Sequence, residues 1–265
     1  MNKKNVLVTG AYGKIGYAIC RSIASIPGYR LTLAGRDEEA LQAACASVIS
    51  SSGNTDISCY RLDLSLFSHI RDFAAQWQGP LQIIINNAAT CPRSRQENAE
   101  GIEMQFATNV LGYYLIIRAF APILKASAPA RVVNVASYWA GDLDLSDPEF
   151  KRRPYDNNTA YRQSKQADRM LSAAFADEFR FSGISVNACH PGDVKSKLSN
   201  SLGFGGHETP EEGAATPVWL ATSAETEGVS GKYFENKREQ RCPFSENLES
   251  RLALMKICGS FQPGF

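Results

Sequence analysis

In the stretch Ala160-Tyr161-Arg162-Gln163-Ser164-Lys165-Gln166, a phenol and an ammonium stand four residues apart. In a helix that spacing puts both on one face. A free tyrosine ionises near pH ~10, so acid or base work near neutrality needs roughly 4 kcal/mol in favour of the phenolate. One cation about 4 Å away, at an effective dielectric of about 20, supplies about that much. On this reading Tyr161 is a proton donor for carbonyl chemistry, made more acidic by Lys165. The competing reading is chance, because ten tyrosines make one Tyr-x-x-x-Lys on an exposed helix unremarkable. The pair gains weight only from what else the chain carries.

A second chemistry lies near the start. Asn5 to Thr9 is a short β-rich run, followed by Thr9-Gly10-Ala11-Tyr12-Gly13-Lys14-Ile15-Gly16 and then a helical stripe of Ile15, Ile19, Ile23 and Ile26. Strand, glycine turn and helix form a dinucleotide cradle: glycines admit a pyrophosphate close to the backbone, and the helix N-terminus meets it with free N–H groups. The second strand, Leu31 to Ala34, leads to Gly35-Arg36-Asp37. A carboxylate here would bond a ribose 2'-hydroxyl, whereas an arginine accepts a 2'-phosphate. Gly35 leaves the position open, and Arg36 with Lys14 favours NADP over NAD; the alternative is that Arg36 pairs with Asp37 and Asp63. Asp63, at the end of a third strand, has two readings of its own, an adenine contact or a cap for the helix beginning near Leu66.

The elements that must position these groups follow from periodicity. A helix is expected over 38–50 with Leu41, Ala44, Cys45 and Val48 inward, a third strand over 57–62, a buried strand over 81–85 ending at Asn86-Asn87-Ala88-Ala89, and a long helix over about 101–125. Asn109 sits in the apolar stripe of that helix and costs free energy unless its amide is bonded. A fifth strand, 131–136, ends at Ser137; 138–158 is an irregular surface loop. The Tyr161 helix then runs to about Ser182, and a sixth strand, 184–189, leads into His190-Pro191-Gly192-Asp193-Val194-Lys195-Ser196. The stretch 195–222, Gly-rich in its first part, is read either as a substrate lid or as an ordinary loop followed by a helix from about Pro210. A last strand near 232–235 and a helix over about 246–257 close the chain. This predicts a single α/β domain over 1–265, a doubly wound parallel sheet of about seven strands.

Composition narrows the partners. A formal charge of +1 over 265 residues, 44% of them apolar, supports a buried core and gives no electrostatic footprint for nucleic acid. Seven scattered cysteines without a Cys-x-x-Cys pair argue against a disulfide framework or a metal site. No run reaches the ~18 consecutive apolar residues of a membrane span, and the basic Asn2-Lys3-Lys4 leads straight into a strand, so a cytoplasmic chain is expected.

Taken together, these motifs resemble the classical short-chain dehydrogenase/reductase family across essentially the full chain. Thr9 to Gly16 is similar to its cofactor turn, Asn86 to Ala89 to its Asn-Asn-Ala-Gly element, and 191–196 to its Pro-Gly-x-Val-x-Thr segment. Asn109, Ser137, Tyr161 and Lys165 fall in the order of its catalytic tetrad. Two departures stand out: the glycines are spaced as in the extended, epimerase-like branch, with Lys14 where a glycine is usual, and Ala89 replaces a glycine. The long interval from Ser137 to Tyr161 and the late Ser230-Gly231-Lys232-Tyr233-Phe234 most resemble the retinol dehydrogenase and WW-domain oxidoreductase subgroup, which favours apolar carbonyls or alcohols.

The resemblance implies an NADP site built from Gly10, Tyr12, Gly13, Lys14, Ile15, Gly16, Arg36, Asp63, Leu64, Asn87 and Ala88, completed by Tyr161, Lys165, Pro191, Gly192, Val194 and Ser196. It implies hydride transfer to or from a small carbonyl or alcohol, with Tyr161 moving the proton, Ser137 bonding the substrate oxygen, Lys165 on the nicotinamide ribose and Asn109 holding a water. Trp139, Leu143, Leu198 and Phe204 are candidate pocket walls. A homodimer or homotetramer joined through the two long helices is expected from the family alone. A catalytically silent NADP-binding regulator and a sugar-nucleotide epimerase are the alternatives; the intact tetrad argues against the first and the short C-terminal part against the second.

Overall fold

The computed structural model describes residues 3–261; Asn2, in the basic lead, lies outside them. Strands and helices alternate as β1 (Lys4–Thr9), α1 (Lys14–Ala24), β2 (Tyr29–Gly35), α2 (Glu38–Ser52), β3 (Ile57–Arg61), α3 (Phe67–Gln76) and β4 (Ile83–Asn86). They continue as α4 (Gly112–Ala126), β5 (Ala130–Val135), α5 (Asn157–Glu178), β6 (Ile184–His190), α6 (Lys197–Ser201) and α7 (Pro210–Thr222). The hairpin β7 (Tyr233–Glu235) and β8 (Arg238–Gln240) and the helices α8 (Pro243–Glu246) and α9 (Leu248–Ser260) follow. The sheet order is β3-β2-β1-β4-β5-β6-β7-β8, parallel throughout until β8 returns antiparallel on β7. Strand order reverses between β1 and β4, and the crevice outside the carboxyl ends at such a point is where this architecture takes ligands.

Val6-Leu7-Val8 and Ile83-Ile84-Ile85 are buried because helices cover both faces of the sheet. Leu7, Ile84, Phe120 and Phe175 belong to one core under α3, α4, α5 and α9; Val8, Ile19, Ile85 and Leu220 belong to the other, under α1, α2 and α7. The run Phe106–Ala126 is long and apolar enough to cross a membrane, but 67% of it is buried inside the protein. Its apolar surface is core surface.

Several expectations change in detail. The helix expected from Gly101 starts later, because Gly101 turns at φ +75° and the Glu103 carboxylate accepts the N–H groups of Gln105 and Phe106 at 2.9 and 2.7 Å. Phe106–Leu111 then forms a π-helical turn, wholly buried, before α4 proper. Helix α5 begins four residues before Tyr161, capped by Asp156, whose carboxylate accepts the Thr159 N–H at 2.7 Å. Strand β7 falls where the last strand was expected, but its return as β8 was not foreseen, since three-residue strands show no usable period; Asn236 and Lys237 both have positive φ at the hairpin tip, as the favoured two-residue turn requires. The stretch 195–222 divides. Pro210–Thr222 is helix α7, buried through Ala214, Leu220 and Ala221 in the same core as α1, so only the part before it lies free of the core layers.

Candidate active site

The turn after β1 is built by close approach. Gly10 has φ +64° and a Cβ there would fall 2.7 Å from Ala88 Cα, while one at Gly16 would fall 2.2 Å from the Gly10 carbonyl. Asn87 locks the turn: its Nδ2 donates to the Thr9 and Gly10 carbonyls at 3.0 and 3.3 Å, and the N–H groups of Asn87 and Ala88 donate to Thr9 Oγ1. Gly13 is the N-cap of α1; no side chain caps the helix and no acid sits in its first turn. The amides of Lys14, Ile15 and Gly16 therefore face the crevice with the charge preference of a helix N-terminus. The residues present fit a dinucleotide.

On the adenosine side the structure changes two readings. The space over Gly35 is not open, because a Cβ there would lie 2.5 Å from the Tyr12 ring; glycine is needed so that this ring can lie on β2. Asp63 does not cap the next helix, whose cap position is Leu66 without a side-chain bond. Its Oδ1 instead accepts the Ser65 N–H and hydroxyl at 2.9 and 2.7 Å. Asp37 caps α2 by accepting the Ala40 N–H at 3.0 Å. Both carboxylates that the sequence offered to Arg36 are thus engaged elsewhere, and Arg36 and Lys14 are exposed. Leu64 is buried against Gly112, a packing role.

Tyr161 is 8% exposed and packs with Cys91 and Leu202, flanked by Trp139 and Leu198. Trp139 meets Phe204 edge-on at 5.4 Å. Three of the four expected wall residues converge here; Leu143, half-buried, packs against the core beside Phe106 and Val110 instead. Cys91 and Leu202 were missed, although Leu202 stands at i+4 from Leu198. Asn157 Nδ2 donates to the Ser201 carbonyl at 3.2 Å, tying α6 to the start of α5.

Ser137 leaves the end of β5 beside this phenol. Its Oγ accepts the Trp139 N–H at 3.1 Å, which leaves its own proton to donate. Asn109, fully buried within the π turn, accepts the Thr90 N–H at 2.9 Å and donates to the Thr90 carbonyl and Ser164 Oγ, both at 3.1 Å. Its amide ties the exit of β4 to α5.

The electrostatics overturn one expectation. Lys165 Nζ lies 5.8 Å from the Tyr161 ring centre, but it donates to the Val135 carbonyl at 3.0 Å and to Asp168 Oδ2 at 2.8 Å. A paired ammonium cannot act on the phenol as a free charge. Burial pushes the Tyr161 phenol up, with Cys91 and Asp168 adding to the rise and a hydrogen bond to Ser137 opposing it. Asp168, itself pushed up by burial to about 7 against the pull of Lys165, was not singled out from the sequence. Its signal was present, as an acid on the apolar side of a helix three residues after the lysine.

After β6, Gly192 has φ +94° and a Cβ there would strike the Glu208 carboxylate at 1.9 Å. Val194 is buried and bridges to Glu208; Pro191 packs near Gly213 of α7. Ser196 caps α6, its Oγ accepting the Ser199 N–H at 3.1 Å, so that hydroxyl already has a structural partner.

The sequence profile described as "short chain dehydrogenase" matches residues 4–203. Retinol dehydrogenase 13 of Mus musculus is 34% identical over 272 aligned residues, covering 94% of this chain and 80% of the mouse protein. Retinol dehydrogenase 12 of Homo sapiens is 34% identical over 96% of this chain and 84% of its own length. Among solved structures, the Pseudomonas aeruginosa RhlG/NADP active-site complex superposes with a TM-score of 0.70 at 26% identity, over 88% of this chain and 94% of that one. With the crevice at the β1/β4 reversal shaped for a dinucleotide and the sequence kinship extending over nearly the whole chain, this protein belongs to the short-chain dehydrogenase family and is an NAD(P)-dependent oxidoreductase acting on CH–OH groups.

Proposed function

We propose that the protein uses NADPH to reduce the carbonyl group of a small, largely apolar substrate. One observation carries this reading: the Tyr161 phenol is enclosed by Cys91, Leu202, Leu198 and Trp139, so a substrate reaching it meets an apolar wall. The nicotinamide, when bound, supplies the hydride. Tyr161, protonated at neutral pH as a phenol ordinarily is, gives its proton to the carbonyl oxygen as negative charge builds there, and Ser137 donates to the same oxygen. The glycine turn and the α1 N-terminus would hold the pyrophosphate, Lys165 the nicotinamide ribose, and Arg36 with Lys14 the 2'-phosphate. The retinol dehydrogenases it resembles are named for an apolar alcohol, in keeping with this wall.

The test is NADPH consumption against a panel of aldehydes and ketones graded from apolar to polar, with NADPH and NADH binding measured in parallel. Apolar carbonyls should turn over, and Tyr161→Phe should abolish that turnover with NADPH still bound. NADPH should bind more tightly than NADH. Arg36→Ala should remove that preference by about 1.5–3 kcal/mol, the worth of a hydrogen bond to a charged group. An unchanged preference in the variant would take Arg36 out of the account, and selective turnover of polar carbonyls would refute the apolar substrate.

A further inference from the structure

Helix α5 carries a charge that the reaction as derived does not use. Asp168 is wholly buried. One of its oxygens, Oδ2, binds Lys165 Nζ at 2.8 Å, and the other, Oδ1, has no partner among the described residues. A buried carboxylate with one oxygen unsatisfied is a poor structural device, since an apolar residue of similar size commonly serves stability as well or better. The other titratable groups facing the pair are Tyr161 on α5 itself, Tyr113 from α4, Cys258 from α9 and Cys189 from β6. Tyr113 presents its ring to the ammonium at 5.1 Å. Among the described residues Lys165 is the cation bonded to Asp168, and Asp168 is the group placed to offset it.

We propose that Asp168 is a positioning residue of this active site: it holds the Lys165 ammonium against the end of β5 and withholds that charge from the Tyr161 phenol. The proposal rests on the reading of Tyr161 as the proton donor. At 5.8 Å from the ring centre an uncompensated cation would raise the ionisation constant of the phenol on the order of a hundredfold. A cation paired at hydrogen-bond distance acts as a dipole and does far less. Neutralising Asp168, by a proton or by substitution, returns the full charge to Tyr161 and moves it from an acid that stays protonated toward one that ionises readily. The residue thereby sets how readily Tyr161 exchanges its proton with the substrate oxygen.

The experiment uses the full chain without substrate. Tyrosine labelled with carbon-13 at Cζ is titrated by NMR in the wild type, Asp168→Asn and Asp168→Glu, with Tyr161→Phe identifying the resonance. In Asp168→Asn the Tyr161 signal should convert to the phenolate at least about tenfold more readily, that is, about one pH unit lower or more. Asp168→Glu, which keeps the charge, should stay with the wild type. Coincident curves for Asp168→Asn and wild type would overturn the proposal, as would an equal shift in both variants. If Asp168→Asn does not fold, as the same spectra would reveal, the wild type decides. Titration of the Asp168 carboxyl carbon should then be mirrored by a step at Tyr161 Cζ, and a flat Tyr161 signal across that step rejects the idea. Because no substrate enters, a failure here leaves carbonyl reduction standing, and a failed substrate panel leaves this titration interpretable.

Discussion

A histidine with one ring nitrogen buried and unbonded shows how this site treats ionisable groups. His190 ends β6 with Nδ1 buried and unpartnered among the described residues, its ring edge-on to Tyr138 at 4.7 Å. Burial, with Arg169 adding, holds it down at about 4, whereas in an unfolded chain histidine titrates near ~6.5. Its contribution to stability is therefore complete above ~6.5 and is lost as the pH falls through about 4, because the unfolded chain takes the proton first. Denaturant titrations across that window should find His190→Gln losing less stability than wild type, by up to roughly 3 kcal/mol; parallel losses would show that the ring is not the cause. Single residues were legible in the sequence where spacing alone identifies them, as with Tyr161 and Lys165, or the glycines before α1. They were illegible where the neighbour decides the role. Nothing in the order of residues says that Asp168 rather than Tyr161 meets the lysine, or that the ring of Tyr12 lies on Gly35.

Elements were easier to read than residues. Apolar runs and 3.6-residue stripes placed the strands β1 to β6 and the long helices to within a few residues, because both faces of the sheet are covered and every buried face repeats its period. What periodicity blurs is a change of pitch. The π turn Phe106–Leu111 inserts a residue into the helix just where Asn109 must reach both the β4 exit and α5. Such turns recur at functional sites. Asn109→Ala would leave the Thr90 N–H and carbonyl short of a partner, while Ser164 Oγ keeps its bond to the Tyr161 carbonyl. It should cost about 1–3 kcal/mol per group left unsatisfied, read as a lower denaturation midpoint, with a further loss of turnover as α5 shifts against β4. A variant as stable as wild type would mean that water replaces the amide fully.

At the scale of the molecule, one of the two long helices by which two copies were expected to join, α5, carries a further helix of the same chain. Helix α9 lies along α5 and buries Leu254 and Cys258 in the core with Tyr114 and Phe175. Arg251 pairs with Asp177 at 2.6 Å, and Phe261 meets Phe106 edge-on at 5.7 Å. Beyond the hairpin, β8 offers only exposed Arg238, Glu239 and Gln240, a charged edge that discourages pairing with another sheet. With α9 covering part of α5, light scattering should give the mass of one chain at micromolar concentration; the mass of a dimer would show that this cover leaves room for a second copy. The packing of Leu202 on Tyr161 carries a last consequence, and it concerns time. If a reactant must displace that leucine to reach the phenol, arrival is a two-step event whose observed rate stops climbing with concentration.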